Sequence, residues 1–197
     1  SRLDGIVITH RHMDHANDVN ILIEAMADGG FRKRGTLFCP ADALSGDSVV
    51  FDFAGKYLEN IILLREGGEY ALGDITFRTP VRHRHPVETY GLFFRLNRTI
   101  GLISDTRYFP ELADHYRADH LIINVLRQKP IENHEIVEHL ALNDARAIID
   151  KVRPETAILT HFGMHIINQG PSRLARTMAK ETGVNVMAGR DGMKWEF

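Results

Sequence analysis

Hydrophobic positions along the chain predict an early group of strands and hairpins, followed by strands that alternate with helices. Short apolar runs predict strands over 5–9, 36–39, 61–64, 121–125, 157–160 and 184–188, and a last strand is expected over 193–197. Two pairs of such runs, over 70–77 and 92–103, are each divided by a polar turn and predict hairpins. Apolar residues spaced three and four positions apart predict helices that begin near 19, 143 and 172. This order is typical of an α/β fold.

The sequence also marks the ends of two of these helices. Asn143 is the expected N-cap of a helix that ends at Arg153, because the residue before a proline disfavours helical geometry. The helix that begins at Ser172 is expected to end at Gly183.

Composition limits the class of protein. Of the 197 residues, 44% are hydrophobic and 25% are charged, which is ordinary for a globular protein, so we expect one domain over 1–197. No apolar run approaches about 18 residues, so no membrane span is expected. The formal charge of −2 gives no basic footprint for nucleic acid. The single cysteine, Cys39, excludes an intrachain disulfide and a cysteine-rich zinc site, and it fits a cytoplasmic location.

Candidate chemistry lies with the histidines, of which the chain has 11. Residues 10–15 have the pattern H-x-H-x-D-H. In an extended segment, His10 and His12 project to the same side and can bind one ion. Asp14 and His15 come where the chain turns toward a helix, so they can reach a second ion. Zinc takes imidazole nitrogen and carboxylate oxygen as ligands. The alternative is a solvated loop whose side chains, Asp14 among them, cap the following helix.

Further residues of ligand type follow apolar strands. His10, Asp105 and His161 each come just after a predicted strand. Because rigid strands position side chains at their ends while loops give access, sites in sheet-plus-helix folds gather there. We therefore expect these three residues to meet in one metal centre. A turn-forming aspartate at 105 and a core histidine at 161 are the alternatives.

The segment over 10–15 resembles the signature of the metallo-β-lactamase superfamily of dinuclear metallohydrolases. Residues 85–91 are similar to the third-ligand motif of its ribonuclease Z-like phosphodiesterase branch, 103–106 to the bridging-aspartate motif and 159–162 to the last-ligand motif. The resemblance implies a four-layer αβ/βα sandwich. Superfamily members have strands before this signature, which begins here at residue 10, so we expect that part to be absent or the chain to be a fragment.

The resemblance also implies which residues hold two metal ions. One ion would be held by His10, His12 and His85, the other by Asp14, His15 and His161, and Asp105 would bridge both. The cofactors we expect are two divalent ions, zinc foremost, with manganese and iron as alternatives.

Three positions leave alternatives open. His83 competes with His85 for the third-ligand place, and the spacing to Gly91 favours His85. His139 lies where ribonuclease Z-like enzymes have a histidine that contacts the scissile phosphate, although the surrounding motif is degraded, so a catalytic role competes with that of a surface histidine. The remaining histidines are expected at the surface or behind the ligands; they are His115, His120, His134 and His165.

These residues predict a hydrolase in which a metal-bridging hydroxide attacks, most readily a phosphodiester, with catalytic roles for Asp14 and His139. An acyl-type hydrolase, such as a thioesterase or lactonase, is the first alternative, and a non-catalytic metal-binding scaffold is the second. The expected partner is a small-molecule or nucleotide-like anion, and a homodimer is left open. No nucleic-acid or membrane partner is expected.

Overall fold

A computed structural model describes residues 3–129 and 138–196. The strands over these residues are β1 Gly5–Val7, β2 Thr36–Cys39, β3 Asn60–Leu63, β4 Gly68–Leu72, β5 Ile75–Thr79, β6 Leu92–Arg95, β7 Thr99–Ile103, β8 His120–Asn124, β9 Thr156–Thr160 and β10 Asn185–Ala188. The helices are α1 Met13–Ala16, α2 Val19–Met26, α3 Asp52–Gly55, α4 Leu112–His115, α5 Leu142–Val152, α6 Met164–Gln169 and α7 Pro171–Thr182. A 3-10 turn spans Ala41–Leu44.

Within these ranges the strands form two sheets. The smaller sheet has the order β1-β2-β3, and its strands are parallel. The larger sheet has the order β10-β9-β8-β7-β6-β5-β4. Its β4 to β7 half is an antiparallel meander, which contains both predicted hairpins. Its β7 to β10 half is parallel, because the chain returns through helices between these strands.

Three apolar clusters separate four layers. In β2, Leu37 packs against α2 and α3, whereas its neighbour Phe38 packs between the two sheets, as alternation along a strand requires. Phe38 meets Phe77 of the larger sheet with ring centroids 5.2 Å apart. The largest cluster lies beneath α4, α5 and α7 on the outer face of the larger sheet. The α/β/β/α sandwich implied by the resemblance is therefore confirmed.

Two sequence predictions about element boundaries are wrong. The helix expected from Asn143 begins at Leu142, and Ala141 takes the N-cap position, where its N–H donates to the Asp144 carboxylate over 2.8 Å. Residues 193–196 form no strand, and Trp195 packs edge-on against His120 with ring centroids 4.7 Å apart. The ends at Arg153 and Gly183 are confirmed, each in left-handed backbone geometry. None of the described helices is long and apolar enough to cross a bilayer.

Candidate metal centre

The residues of ligand type lie in loops at one edge of the sandwich, where strands of both sheets end. His10 comes three residues after β1, Asp105 two residues after β7, and His161 directly after β9. His161 has a positive φ of 61°, which is uncommon for a residue with a side chain and turns the backbone sharply at the strand end. The short helix α1 carries Asp14 and His15. Its N-cap position is His12, so Asp14 is not a helix cap.

The buried carboxylate of Asp105 is the centre of this arrangement. Its Oδ1 accepts a hydrogen bond from Asn124 Nδ2 at 2.9 Å, at the end of β8. Four imidazole Nε2 atoms surround its Oδ2, at 3.1 Å for His139, 3.2 Å for His15 and 3.7 Å for both His10 and His161. A single carboxylate oxygen cannot pair with four donors, so this geometry indicates a site for something other than hydrogen bonds.

Two further groups of three converge beside Asp105. In each group the candidate ligand atoms lie within 4.8 Å of one another; the groups are His10, His12 and His85, and Asp14, His15 and His161. In the first, His85 Nε2 lies 3.0 Å from His12 Nδ1. In the second, His161 Nε2 lies 2.9 Å from His15 Nε2. The structure thus brings together the two ligand sets that the sequence motifs imply, with Asp105 next to both.

Outer contacts fix which nitrogen faces the centre. The backbone carbonyl of Glu138 can only accept, so His85 Nδ1 donates to it over 2.9 Å, and the lone pair of His85 Nε2 faces inward. Thr9 Oγ1, which accepts from Ser104 Oγ at 3.1 Å, lies 3.1 Å from His10 Nδ1 and can accept its proton. Partners of this kind orient metal-ligating histidines in proteins.

Burial keeps these imidazoles neutral. Desolvation lowers the pKa of His10 to about 2 and that of His85 to about 4, and it lowers the pKa of His12 as well. Burial raises the pKa of the Asp105 carboxyl, but hydrogen bonds, first that from His139, outweigh it and hold this pKa below its usual range. A neutral imidazole and an ionised carboxylate are the protonation states in which these side chains bind a divalent cation.

The environment of His10 Nε2 also fits a bound cation. His10 Nε2 is buried, points at the Asp105 carboxylate and has no hydrogen-bond partner among the described residues. A buried polar nitrogen without a partner is costly, because its hydration is lost and nothing replaces it. A metal ion next to His10 Nε2 would replace the lost hydration.

His83 is not among the converging residues. It is buried behind Asp105, and its Nδ1 donates to the Asp105 backbone oxygen over 3.3 Å. Its Nε2 therefore accepts, and the Tyr116 hydroxyl donates to it over 2.8 Å. His85, which the spacing to Gly91 favours, is the one that reaches the centre.

His139, for which the sequence left two roles open, also lies at the centre. Its Nε2 is 3.1 Å from Asp105 Oδ2, and its ring stands edge-on to that of His85 with centroids 5.0 Å apart. The other histidines differ from one another. His165 is exposed, His115 is partly exposed, His120 is buried against Trp195 rather than at the surface, and His134 lies outside the described residues.

Sequence reasoning missed the residues that support the ligands. Asn124 is the last residue of β8 and lay inside the strand predicted over 121–125, so a polar residue near a strand end was a usable signal. No local sequence pattern marked Tyr116 or the carbonyl of Glu138, because they contact His83 and His85 from 33 and 53 residues away, respectively.

Comparison with known proteins identifies the family and the fold. A family model described as "Beta-lactamase superfamily domain" matches residues 1–162. A protein of Methanocaldococcus jannaschii is 32% identical over 207 residues, which cover 100% of this chain and 75% of that protein. Among solved structures, the metallo-beta-lactamase fold protein YhfI from Bacillus subtilis has a TM-score of 0.77 at 19% identity, with 98% of this chain and 77% of that chain covered. A diphosphatase from the PhnP family has a TM-score of 0.68 at 23% identity, with 99% of this chain and 72% of that chain covered.

Proposed function

The chain belongs to the beta-lactamase superfamily, and we propose that it is a metal-dependent hydrolase that cleaves a phosphodiester in a small or nucleotide-like anion. The observation that carries the proposal is the convergence of histidine and aspartate side chains from four loops on the Asp105 carboxylate. The structural similarity to a diphosphatase of the PhnP family supports phosphate chemistry over acyl transfer.

In this proposal the two groups of three residues would hold two divalent ions, and the Asp105 carboxylate would be a further ligand. When bound, such a pair of ions supplies an activated water as the nucleophile and positive charge that stabilises the phosphoryl oxygens. The two carboxylates, Asp14 and Asp105, offset only half of the charge of two divalent ions. The residual positive charge favours an anionic substrate.

Each residue then has a definite task. Glu138 and Thr9 orient His85 and His10, and Asn124 fixes the Asp105 carboxylate through Oδ1. Asp14 contacts His161 Nε2 over 3.2 Å with a side chain that is 65% exposed, so it can also accept a proton from the attacking water. His139 presents Nε2 toward the centre, where it can donate a proton to the leaving oxygen.

Metal analysis and turnover together test the proposal. We expect close to two ions per chain at saturating zinc and hydrolysis of bis-p-nitrophenyl phosphate that a chelator abolishes. The H139A variant should keep its metal but lose turnover by about 100-fold, as removal of a general acid does. The H115A variant, altered at a partly exposed histidine on α4, should keep both its metal and its turnover.

Other results would point to the alternatives. Two ions with hydrolysis of a thioester or lactone, but not of the phosphodiester, would identify an acyl-type hydrolase. Full metal content without turnover of any ester would leave a metal-binding scaffold. At most one ion at saturating zinc would contradict the dinuclear centre.

A further inference from the structure

A cavity of about 480 Å³ opens beside the candidate metal centre, on the side of His12. His12 belongs to one of the converging groups and also lines this cavity, so the cavity adjoins the candidate metal centre at His12. The volume lies within the range of about 300–1,000 Å³ that is typical of small-molecule sites. A substituent on a phosphate held at the metal centre would therefore lie next to the cavity.

The walls of the cavity are largely apolar. Met13, Val49, Phe51 and Val87 line it, and the side chains of Met13 and Phe51 belong to residues that are 72% and 54% exposed. Large apolar side chains that remain this exposed next to a site are available for contact with a ligand. An aromatic ring and a thioether are both good partners for a planar ring.

The polar groups of the wall are already engaged. Asn20 Nδ2 donates to the backbone oxygen of Val49 at 2.8 Å, and the N–H of Phe51 donates to Asn20 Oδ1 at 2.9 Å. Ser48 Oγ donates to the backbone oxygen of Val50 at 2.7 Å. These bonds hold residues 48–51 in place, and they leave apolar contact as the main binding chemistry of this wall.

The charge of the wall disfavours a second anionic group. Arg11 lines the cavity, but its guanidinium lies 3.3 Å from the Asp42 carboxylate and 3.5 Å from that of Asp47. It also donates to the Asp47 backbone oxygen at 3.3 Å. Two carboxylates against one guanidinium leave no positive charge to attract a further phosphate or carboxylate.

We propose that this cavity is a subsite for a neutral planar ring that is attached to the phosphate held at the metal centre. The inference rests on the proposed function, which supplies the phosphate, and it adds the chemical class of the substituent. The substrate is then a phosphate ester with a neutral aromatic or heteroaromatic group, and Phe51 is the residue that selects for it.

Binding of two phosphonates to the zinc-loaded protein tests the subsite without turnover. Phenylphosphonate and methylphosphonate share the metal-binding group, and at a pH where both are dianions the ratio of their dissociation constants, compared between wild type and variants, reports on the cavity. By titration calorimetry we expect phenylphosphonate to bind at least about tenfold more tightly, as burial of a ring predicts.

Substitution of Phe51 should remove this preference. F51A is expected to bring the ratio close to one and to leave methylphosphonate binding unchanged, whereas F51W, which retains a ring, should keep the ratio. F53A is the matched control, because Phe53 is 51% exposed and adjoins Phe51 with ring centroids 5.7 Å apart but does not line the cavity.

The possible outcomes distinguish failure of the subsite proposal from failure of the proposed function. Equal affinities for the two phosphonates, or equal effects of F51A and F53A, would overturn the subsite and leave the hydrolase proposal intact. Failure of both phosphonates to bind the zinc-loaded protein would overturn the subsite. Turnover of bis-p-nitrophenyl phosphate, measured on the same preparation, reports on the proposed function by itself.

Discussion

His83 donates a hydrogen bond from Nδ1 to the backbone carbonyl oxygen of Asp105 across 3.3 Å, and so supports the residue at the middle of the candidate metal centre. The Tyr116 hydroxyl donates to the other nitrogen of His83 at 2.8 Å. With the Tyr116 hydroxyl as the donor, Nε2 carries no proton and the imidazole is neutral. Burial favours the same state, because it lowers the pKa of His83 to about 4.

The stability of the metal-free protein should therefore depend on His83 in acid. The pKa of His83 is about 4 in the folded chain and about 6.5 when unfolded, so protonation favours unfolding. Its contribution is complete above pH 6.5 and is lost as the pH falls toward 4. Between pH 7 and pH 5, the free energy of unfolding should fall by about 2 kcal/mol more in the wild type than in H83Q. Urea denaturation in a chelator measures both values, and equal declines would contradict the prediction.

Gly91 should tolerate no side chain. A Cβ placed there would lie 2.5 Å from the Leu102 backbone oxygen and 2.7 Å from His83 Cε1, and it would also collide with the Tyr116 hydroxyl. We expect G91A to lower the free energy of unfolding by about 2 kcal/mol or more, because this packing cannot shift without loss. G55A is the control, since its Cβ would meet only Ile61 Cδ1 at 3.7 Å. If thermal unfolding shows that G91A is at least as stable as G55A, the contacts around residue 91 relax and the prediction is wrong.

His85 should determine the metal content. It completes one of the two groups of three, so H85A is expected to reduce bound zinc from close to two ions per chain to about one. H165A, a substitution at an exposed histidine, should leave the content unchanged. Elemental analysis after dialysis against a defined zinc concentration gives both numbers. Retention of two ions by H85A would remove His85 from the ligand set.

Asp14 should matter for turnover and not for folding. Its side chain is 65% exposed and lies 3.2 Å from His161 Nε2, so D14N should change the free energy of unfolding by less than about 0.5 kcal/mol. Turnover of bis-p-nitrophenyl phosphate should fall by several orders of magnitude, because the amide neither binds a cation strongly nor accepts a proton. D18N, at an exposed carboxylate that accepts from Asn17, is the control and should leave turnover intact. A D14N protein with wild-type turnover would exclude Asp14 from the centre.

Much of this arrangement was accessible from the sequence because its signals are local. The apolar run that ends before His161 and the pattern over 10–15 are each readable within a few residues. Spacing alone was sufficient to favour His85 over His83, and the structure gives the reason for the motif, since Gly91 leaves room for His83 and Tyr116 to pack against its backbone.

What the sequence could not supply depends on distant partners. A strand was expected over 193–197, but a strand needs a neighbouring edge, and Trp195 instead contacts His120. The N-cap at Ala141 depends on the backward reach of the Asp144 carboxylate rather than on the capping preference of Asn143. Likewise, the cavity beside His12 is formed by loops that the chain brings together only after folding.

The ligand-type side chains come from both layers of strands, and this has a consequence for the lifetime of the protein. Asp14 follows β1 of the small sheet, and His161 follows β9 of the large one, 147 residues away in sequence. A cation that joined them would act as a clasp across the sandwich, because it would bind the folded arrangement and not the unfolded chain. Scarcity of metal would then expose the chain to proteases, so that metal supply controls how much protein survives as well as how fast it works.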